Sequence, residues 1–269
     1  MTSIWLFFYN LFLKIRLFFL IKSNKKDFRF FKRWSPNIEG HRLILDESFD
    51  RINNKLWRND LYTGFNYDLD PILNNDQDPP EYYLDDALVI NRSALNITTQ
   101  GCYREVNYGN KTFVINAETS LINSSDSFAQ HEGYFEIRCK VPLERGMNFK
   151  FSLESLYDQD LSITILDINT INRNLLEHSI NVKGRKKIRK KKIKNKVFDM
   201  TKNYFVYGCK WTPNRLEFYF QNVLVGILKL PKDYDQPMYL NFQPRVLENN
   251  IHKNTFMIDY IRVYNNLDI

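Results

Sequence analysis

The sequence predicts an all-β protein, two antiparallel sheets packed as a sandwich behind an N-terminal hydrophobic helix. Three observations support this. From Leu43 onward, short runs of alternating apolar and polar residues recur about every ten residues. Asn, Asp, Pro and Gly bound those runs, and no long helical period follows residue 36. Of the 269 residues, 43% are hydrophobic and 15% aromatic, enough to bury a large core and to exclude wholesale disorder.

The first element is the segment Ile4 to Ile21, nearly all apolar or aromatic but interrupted by Lys14 and Arg16. A clean membrane span needs about 20 apolar residues, and each central cation costs roughly 2.5 to 3.5 kcal/mol on insertion scales. The following Lys25, Lys26, Arg29, Lys32 and Arg33 suit anionic headgroups. Residues 1–36 are therefore expected to form a membrane-associating helix, a signal anchor or an interfacial one. A cleaved signal peptide fits poorly, because no basic region precedes the apolar run and no small-residue cleavage site follows it. Residues 37–269 form the β-sandwich domain.

Within that domain the clearest strands are 87–90, 95–98, 133–141, 161–167, 204–211, 215–221, 223–228 and 256–264. Phe135, Ile137, Cys139 and Val141 alternate with Tyr134, Glu136, Arg138 and Lys140, the pattern of an antiparallel strand with one face buried. Three cysteines (Cys102, Cys139 and Cys209), with no C-x-x-C pair, exclude a disulfide framework and give no zinc motif. The net charge of +7 is unevenly placed. Residues 1–36 hold eight cations against Asp27, and residues 185–196 hold nine with no acid, which leaves an acidic body with two basic appendages.

In order along the chain, five blocks resemble glycoside hydrolase family 16, the laminarinase, lichenase and agarase group. They are Leu45-Asp46-Glu47-Ser48-Phe49-Asp50 with Trp57, Ala87 to Ile90 with Ala117 to Ser120, Gly133 to Pro142, Tyr207 to Pro213 with Leu216 to Phe220, and Met257 to Tyr264. The resemblance covers roughly residues 43 to 265, and it implies a concanavalin A-like jelly roll of two antiparallel sheets. Members of the family cleave internal β-linkages by retention, with E-x-D-x-x-E or E-x-D-x-E on one strand. The first Glu is the nucleophile, the Asp steers its proton and the last Glu is the acid/base, the two carboxyls standing about 5 to 5.5 Å apart. In the longer form a bulge keeps the last residue on the cleft face.

Here the matching strand reads Ser162-Ile163-Thr164-Ile165-Leu166-Asp167. By alignment Ser162 takes the nucleophile position, Thr164 the helper position and Asp167 the acid/base position, so only the last keeps a carboxylate. A serine with no base partner does not stabilise an oxocarbenium-like centre. The family's tryptophan-bearing cleft floor corresponds to Gly146 to Leu153, where both tryptophans are gone and Phe149 and Phe151 are the sugar-stacking candidates, with core packing as the alternative. Glu154, in what reads as the connection to the next strand, is the carboxylate open to recruitment, with Asp158 near it. His178, beside Glu177, resembles a cleft histidine of the family's next strand.

Three further signals complete the reading. The run holding Arg185, Lys186, Lys187, Arg189, Lys190, Lys191, Lys192, Lys194 and Lys196 is expected to project as a loop or extended hairpin and to bind polyanions. Sulfated glycans and anionic lipid fit that density, as does a merely solvated loop, whereas the absence of interleaved aromatics argues against dedicated nucleic-acid binding. Asn91, Asn96, Asn110 and Asn123 begin glycosylation sequons, usable only in a secretory lumen. No organic cofactor is implied; Glu47 and Asp259 lie in blocks that in some relatives contribute to a calcium site, and oxygen ligands suit that ion. The expected function is a carbohydrate-binding, catalytically inactive relative of family 16, with β-glucan, galactan or a sulfated glycan as partner. The alternatives are an active retaining endo-β-glycosidase using Asp167 with a recruited carboxylate, and an interaction protein that uses only the basic loop. A membrane-associated or secreted, surface-held location follows from residues 1–36; the positive flank favours the cytosolic side and the family likeness the extracellular one.

Overall fold

The structure, a computed structural model, describes residues 38–60, 73–74, 81–108, 111–158, 160–183, 188–197, 199–248 and 252–266. The N-terminal segment 1–36 and its expected helix lie outside the described residues, as does the sequon at Asn110. No helix among the described residues is long and apolar enough to cross a membrane.

In chain order the strands are β1 (His41–Glu47), β2 (Leu73–Asn74), β3 (Glu81–Tyr83), β4 (Leu88–Ile90), β5 (Leu95–Tyr108) and β6 (Lys111–Thr119). Then come β7 (Ile122–Asn123), β8 (Ala129–Gln130), β9 (Gly133–Lys140), β10 (Met147–Ser155), β11 (Ser162–Asn169) and β12 (Leu175–Lys183). The last six are β13 (Ile188–Lys196), β14 (Phe205–Thr212), β15 (Arg215–Phe220), β16 (Val223–Lys229), β17 (Met238–Val246) and β18 (Asn254–Asn266). They build two sheets. The larger runs β16-β15-β14-β9-β18-β5-β6-β3-β2, with β1 also on β18 and β4 also on β5. The smaller runs β13-β12-β11-β10-β17-β7, with β8 also on β17. Pairing among the described strands is antiparallel except for β3, which lies parallel to β6.

The all-β sandwich expected from the alternating runs is therefore present, and the facing sides of the two sheets make its core. Phe135, Ile137 and Cys139 of β9 meet Phe149, Phe151 and Leu153 of β10, all fully buried. The Phe149 ring lies 4.6 Å from Phe256 and 6.4 Å from Phe242. Each such phenyl side chain contributes roughly 1.5 to 3 kcal/mol by leaving water, so Phe149 and Phe151 hold the sheets together and do not floor a cleft.

One feature departs from the sequence reading. Strand β9 is buried on both faces over its first half, since Tyr134 and Glu136 are also covered. Gly208 across the pair has no side chain, so the Tyr134 ring lies flat over it, and Tyr219 packs edge-on at 6.0 Å. The basic run takes the second of its two expected forms, an extended hairpin: residues 188–196 form β13, the edge strand of the smaller sheet, paired antiparallel along β12. Arg185, Lys186 and Lys187 lie outside the described residues, as does the Arg189 side chain.

The turn into β9 depends on Gly133. Its φ of +113° is a conformation L side chains rarely adopt, and a Cβ there would stand 2.2 Å from the Tyr264 carbonyl oxygen. Gly133→Ala is expected to destabilise by roughly 2 to 4 kcal/mol and to lower Tm by about 10 °C in a thermal melt. Gly40→Ala is the control, because Gly40 also has positive φ but open space around it, and it should cost about 1 kcal/mol or less.

Candidate functional site

Strand alternation in the smaller sheet sends one set of side chains into the core and the other to its outer face. On β10 the outer set is Asn148, Lys150, Ser152 and Glu154, between the buried Met147, Phe149, Phe151 and Leu153. On β11 strict alternation would bury Asp167, five residues after Ser162. A bulge prevents this. Phe151 pairs with Leu166 and Ser152 with Thr164, which leaves Ile165 without a partner on β10. On the other side Thr164 pairs with Ser179 and Asp167 with Glu177, so Ile165 and Leu166 together oppose His178. Both bulge residues point into the core, and Ser162, Thr164 and Asp167 share the outer face.

Cross-strand register then assembles a row. Lys194 of β13, Glu177 of β12, Asp167 of β11, Lys150 of β10 and Gln243 of β17 stand side by side. The next row runs Lys192, Ser179, Thr164, Ser152 and Asn241. Glu154 is the residue directly opposite Ser162. It belongs to β10, not to the connection in which the sequence had placed it, and it lies on the strand next to Ser162.

Charge is compensated along this face, the trough of the sandwich as the family resemblance would have it. The Glu154 carboxylate accepts from Lys150 Nζ at 2.9 Å, Ser152 Oγ at 2.8 Å and Tyr239 OH at 3.1 Å. Burial alone would raise its pKa, but the Lys150 charge and the hydrogen bonds from Lys150, Asn241 and Ser152 outweigh that and hold it at about 2. Glu154 is thus ionised at neutral pH, with its oxygens engaged by Lys150, Ser152 and Tyr239. Asp167 accepts from Asn148 Nδ2 at 2.7 Å and from Lys190 Nζ at 3.4 Å. Glu177 meets Lys190, Lys192 and Lys194 at 3.6, 3.6 and 3.4 Å. Two carboxylates opposite each other across a strand pair repel, and Lys190, touching both, offsets that repulsion.

Of the sequence-predicted residues, Ser162, Thr164, Asp167 and Glu154 gather on one face, joined there by Lys190 and Lys192. Lys191 is exposed on the alternate side of β13. His178 does not join them. It is fully buried on the core side, its ring stacked 4.5 Å from Phe218, and its Nδ1 lies 2.6 Å from the Ile165 carbonyl oxygen. Since a carbonyl can only accept, Nδ1 carries the proton and donates. The residue resembling a cleft histidine is instead the core support of the bulge, because β12 alternates Glu177 out and His178 in.

The metal candidates are likewise engaged elsewhere. Glu47 accepts from the Phe49 amide at 2.9 Å and the Trp57 indole at 3.1 Å, while Asp259 pairs with Arg138. No cluster of three or more His, Cys, Asp or Glu able to hold a metal occurs among the described residues. Glu177, Lys150 and Asn148 are site residues the sequence reading missed. The signal for Lys150 and Asn148 was their alternation with Phe149 and Phe151, whereas Glu177 required the register.

The two sheets form a jelly-roll β-sandwich whose smaller sheet carries a polar, carboxylate-bearing outer face. Residues 87–257 match the sequence profile of Glycosyl hydrolases family 16, and the chain belongs to that family. The chain is 27% identical over 128 residues to the Endo-1,3-1,4-beta-glycanase ExsH of Rhizobium meliloti (strain 1021). That match covers 45% of this chain and 26% of the relative, so the chain spans about a quarter of that protein's length. The fold is similar to the laminarinase catalytic domain of Thermotoga maritima MSB8, with TM-score 0.69, 17% identity, and 85% and 99% of the two chains covered. It is also similar to the endo-beta-1,3-glucanase of Pyrococcus furiosus, with TM-score 0.70, 17% identity, and 85% and 96% covered.

The buried histidine gives a pH signature. Burial pushes the His178 imidazole down to about 4 from its usual 6.5, although the Ile165 carbonyl and the Asp167 charge act the other way. The unfolded chain therefore binds more protons, so stability is full above about pH 6.5 and declines by roughly 3 kcal/mol as pH falls to about 4. Glu154 extends the loss from about 4.5 down to about 2. His178→Phe keeps the stack on Phe218 but removes the titration. It is expected to cost about 1 to 3 kcal/mol at neutral pH and to flatten the decline between pH 6.5 and 4 in denaturant titrations.

Proposed function

We propose that this family 16 chain binds a polysaccharide in the trough of its smaller sheet and does not hydrolyse it. One observation carries the reading: Ser162 and Thr164, which the family resemblance aligns with the nucleophile and its helper, lie with Asp167 on the outer face of β11 and bear hydroxyls where double displacement needs carboxylates. The bulge that presents Asp167 supports the alignment of these three positions. Glu154 adds weight, because a carboxylate already bound by Lys150, Ser152 and Tyr239 is a poor nucleophile. Full-length protein incubated with laminarin, lichenan or agarose should release no reducing ends above buffer, while affinity electrophoresis in the same polymers, or in a sulfated one, should show retardation. Reducing-end release that Asp167→Asn abolishes overturns the reading.

The register of Glu154 with Ser162 favours a second reading, an active retaining glycosidase in which Glu154 supplies the missing carboxylate and Asp167 the proton. In that case Glu154→Gln must abolish turnover as completely as Asp167→Asn. For residues 1–36, the apolar run followed by five cations supports attachment of the domain to an anionic membrane surface. The full chain should float with vesicles containing phosphatidylserine, and the chain lacking residues 1–36 should not.

A further inference from the structure

We infer that the ligand of this trough is an anionic polysaccharide, a chain bearing sulfate esters or carboxylates, held by the lysine edge that β13 adds to the sheet. The inference rests on the glycan-binding reading above and specifies its ligand class. Lys190, Lys192 and Lys194 alternate along β13 and all reach Glu177, which places their ammonium groups on the trough side; their side chains are 45%, 49% and 48% exposed. The Cα atoms of successive residues on one strand face stand about 7 Å apart, so a ladder of lysines that swing away from Glu177 can meet repeated anions along a polymer. Lys196 continues the ladder by register with Leu175.

The local charge balance leaves a surplus. Lys150 is committed to Glu154, and Glu177 with Asp167 supply two negative charges against four lysines on β13. Edge protection explains one or two lysines on an exposed strand, but not convergence of three on a single carboxylate inside a ligand trough. On the described strands of this face a neutral sugar finds little of its usual aromatic platform. Among the described trough-facing residues of β10, β11, β12, β13 and β17 the aromatic one is Tyr239, which is 5% exposed and donates to Glu154. Recognition there is ionic and hydrogen-bonded, the manner in which ammonium groups bind sulfate or carboxylate. The same shortage of aromatics disfavours single-stranded nucleic acid, which needs stacking platforms.

The test measures binding of the full chain to carrageenan, its chemically desulfated form, alginate and single-stranded DNA, at 20 and 200 mM NaCl. Wild type should bind carrageenan or alginate at least about tenfold more tightly than the desulfated polymer. Three released counterions would cost roughly 100-fold over that salt range. Carrageenan against alginate tells sulfate from carboxylate. Lys190→Gln with Lys192→Gln and Lys194→Gln should lose about tenfold or more in affinity, whereas Lys55→Gln with Lys232→Gln and Lys253→Gln, an equal loss of exposed charge elsewhere, should change it less than about twofold. A melt at pH 7 verifies that both triple variants are folded. Equal binding of the desulfated and sulfated polymers, unchanged in the Lys190 variant, overturns the anionic class and leaves the glycan-binding reading standing. DNA bound as tightly as carrageenan overturns it in favour of a general polyanion surface. No binding to any polysaccharide overturns both readings.

Discussion

The site depends on a bulge of one residue. Without it, the spacing from Ser162 to Asp167 puts a carboxylate into an apolar core, at a desolvation cost that would favour its neutral form. With it, Ile165 and Leu166 both turn inward and Asp167 emerges beside Glu177 and Lys150. The bulge frees the Ile165 carbonyl from the ladder, and a buried acceptor must be satisfied. His178 does this from the core side, at 2.6 Å, and its ring fills the space against Phe218. The geometry of the trough is thus secured from beneath, by a residue that never touches solvent.

Once Asp167 is presented, the remaining problem is electrostatic. Three carboxylates stand on adjacent strands, Glu154 on β10, Asp167 on β11 and Glu177 on β12, and of these Asp167 alone lies on the strand that the family resemblance aligns with the hydrolytic motif. Each is matched by lysine: Lys150 for Glu154, and the β13 ladder for the other two. For Glu154 the Lys150 ammonium and the hydrogen bonds from Ser152 and Tyr239 stabilise the charged form against the penalty of burial.

The outer face of the larger sheet follows a different logic. Tyr134, Tyr219 and Glu136 cover that face where alternation alone predicts solvent, because Gly208 leaves a gap into which an aromatic ring folds. The sequons are sorted by similar packing. Asn91 is exposed in the β4–β5 turn, while Asn123 is buried and donates to the Asp60 carbonyl at 2.6 Å.

The sequence by itself determined the two-sheet class, the approximate strand positions and the polar residues Ser162, Thr164 and Asp167 that β11 carries. These are local properties, since alternation with period two and the order of blocks are written in consecutive residues. The tertiary structure alone decided that Glu154 opposes Ser162, that Glu177 opposes Asp167, that His178 faces inward and that the basic run is an edge strand lining the trough. Those facts depend on which strands pair and in what register, between segments whose sequences do not mention one another. A shift of one residue exchanges the two faces, so the chemistry of a sheet surface is settled only when the strands are laid side by side.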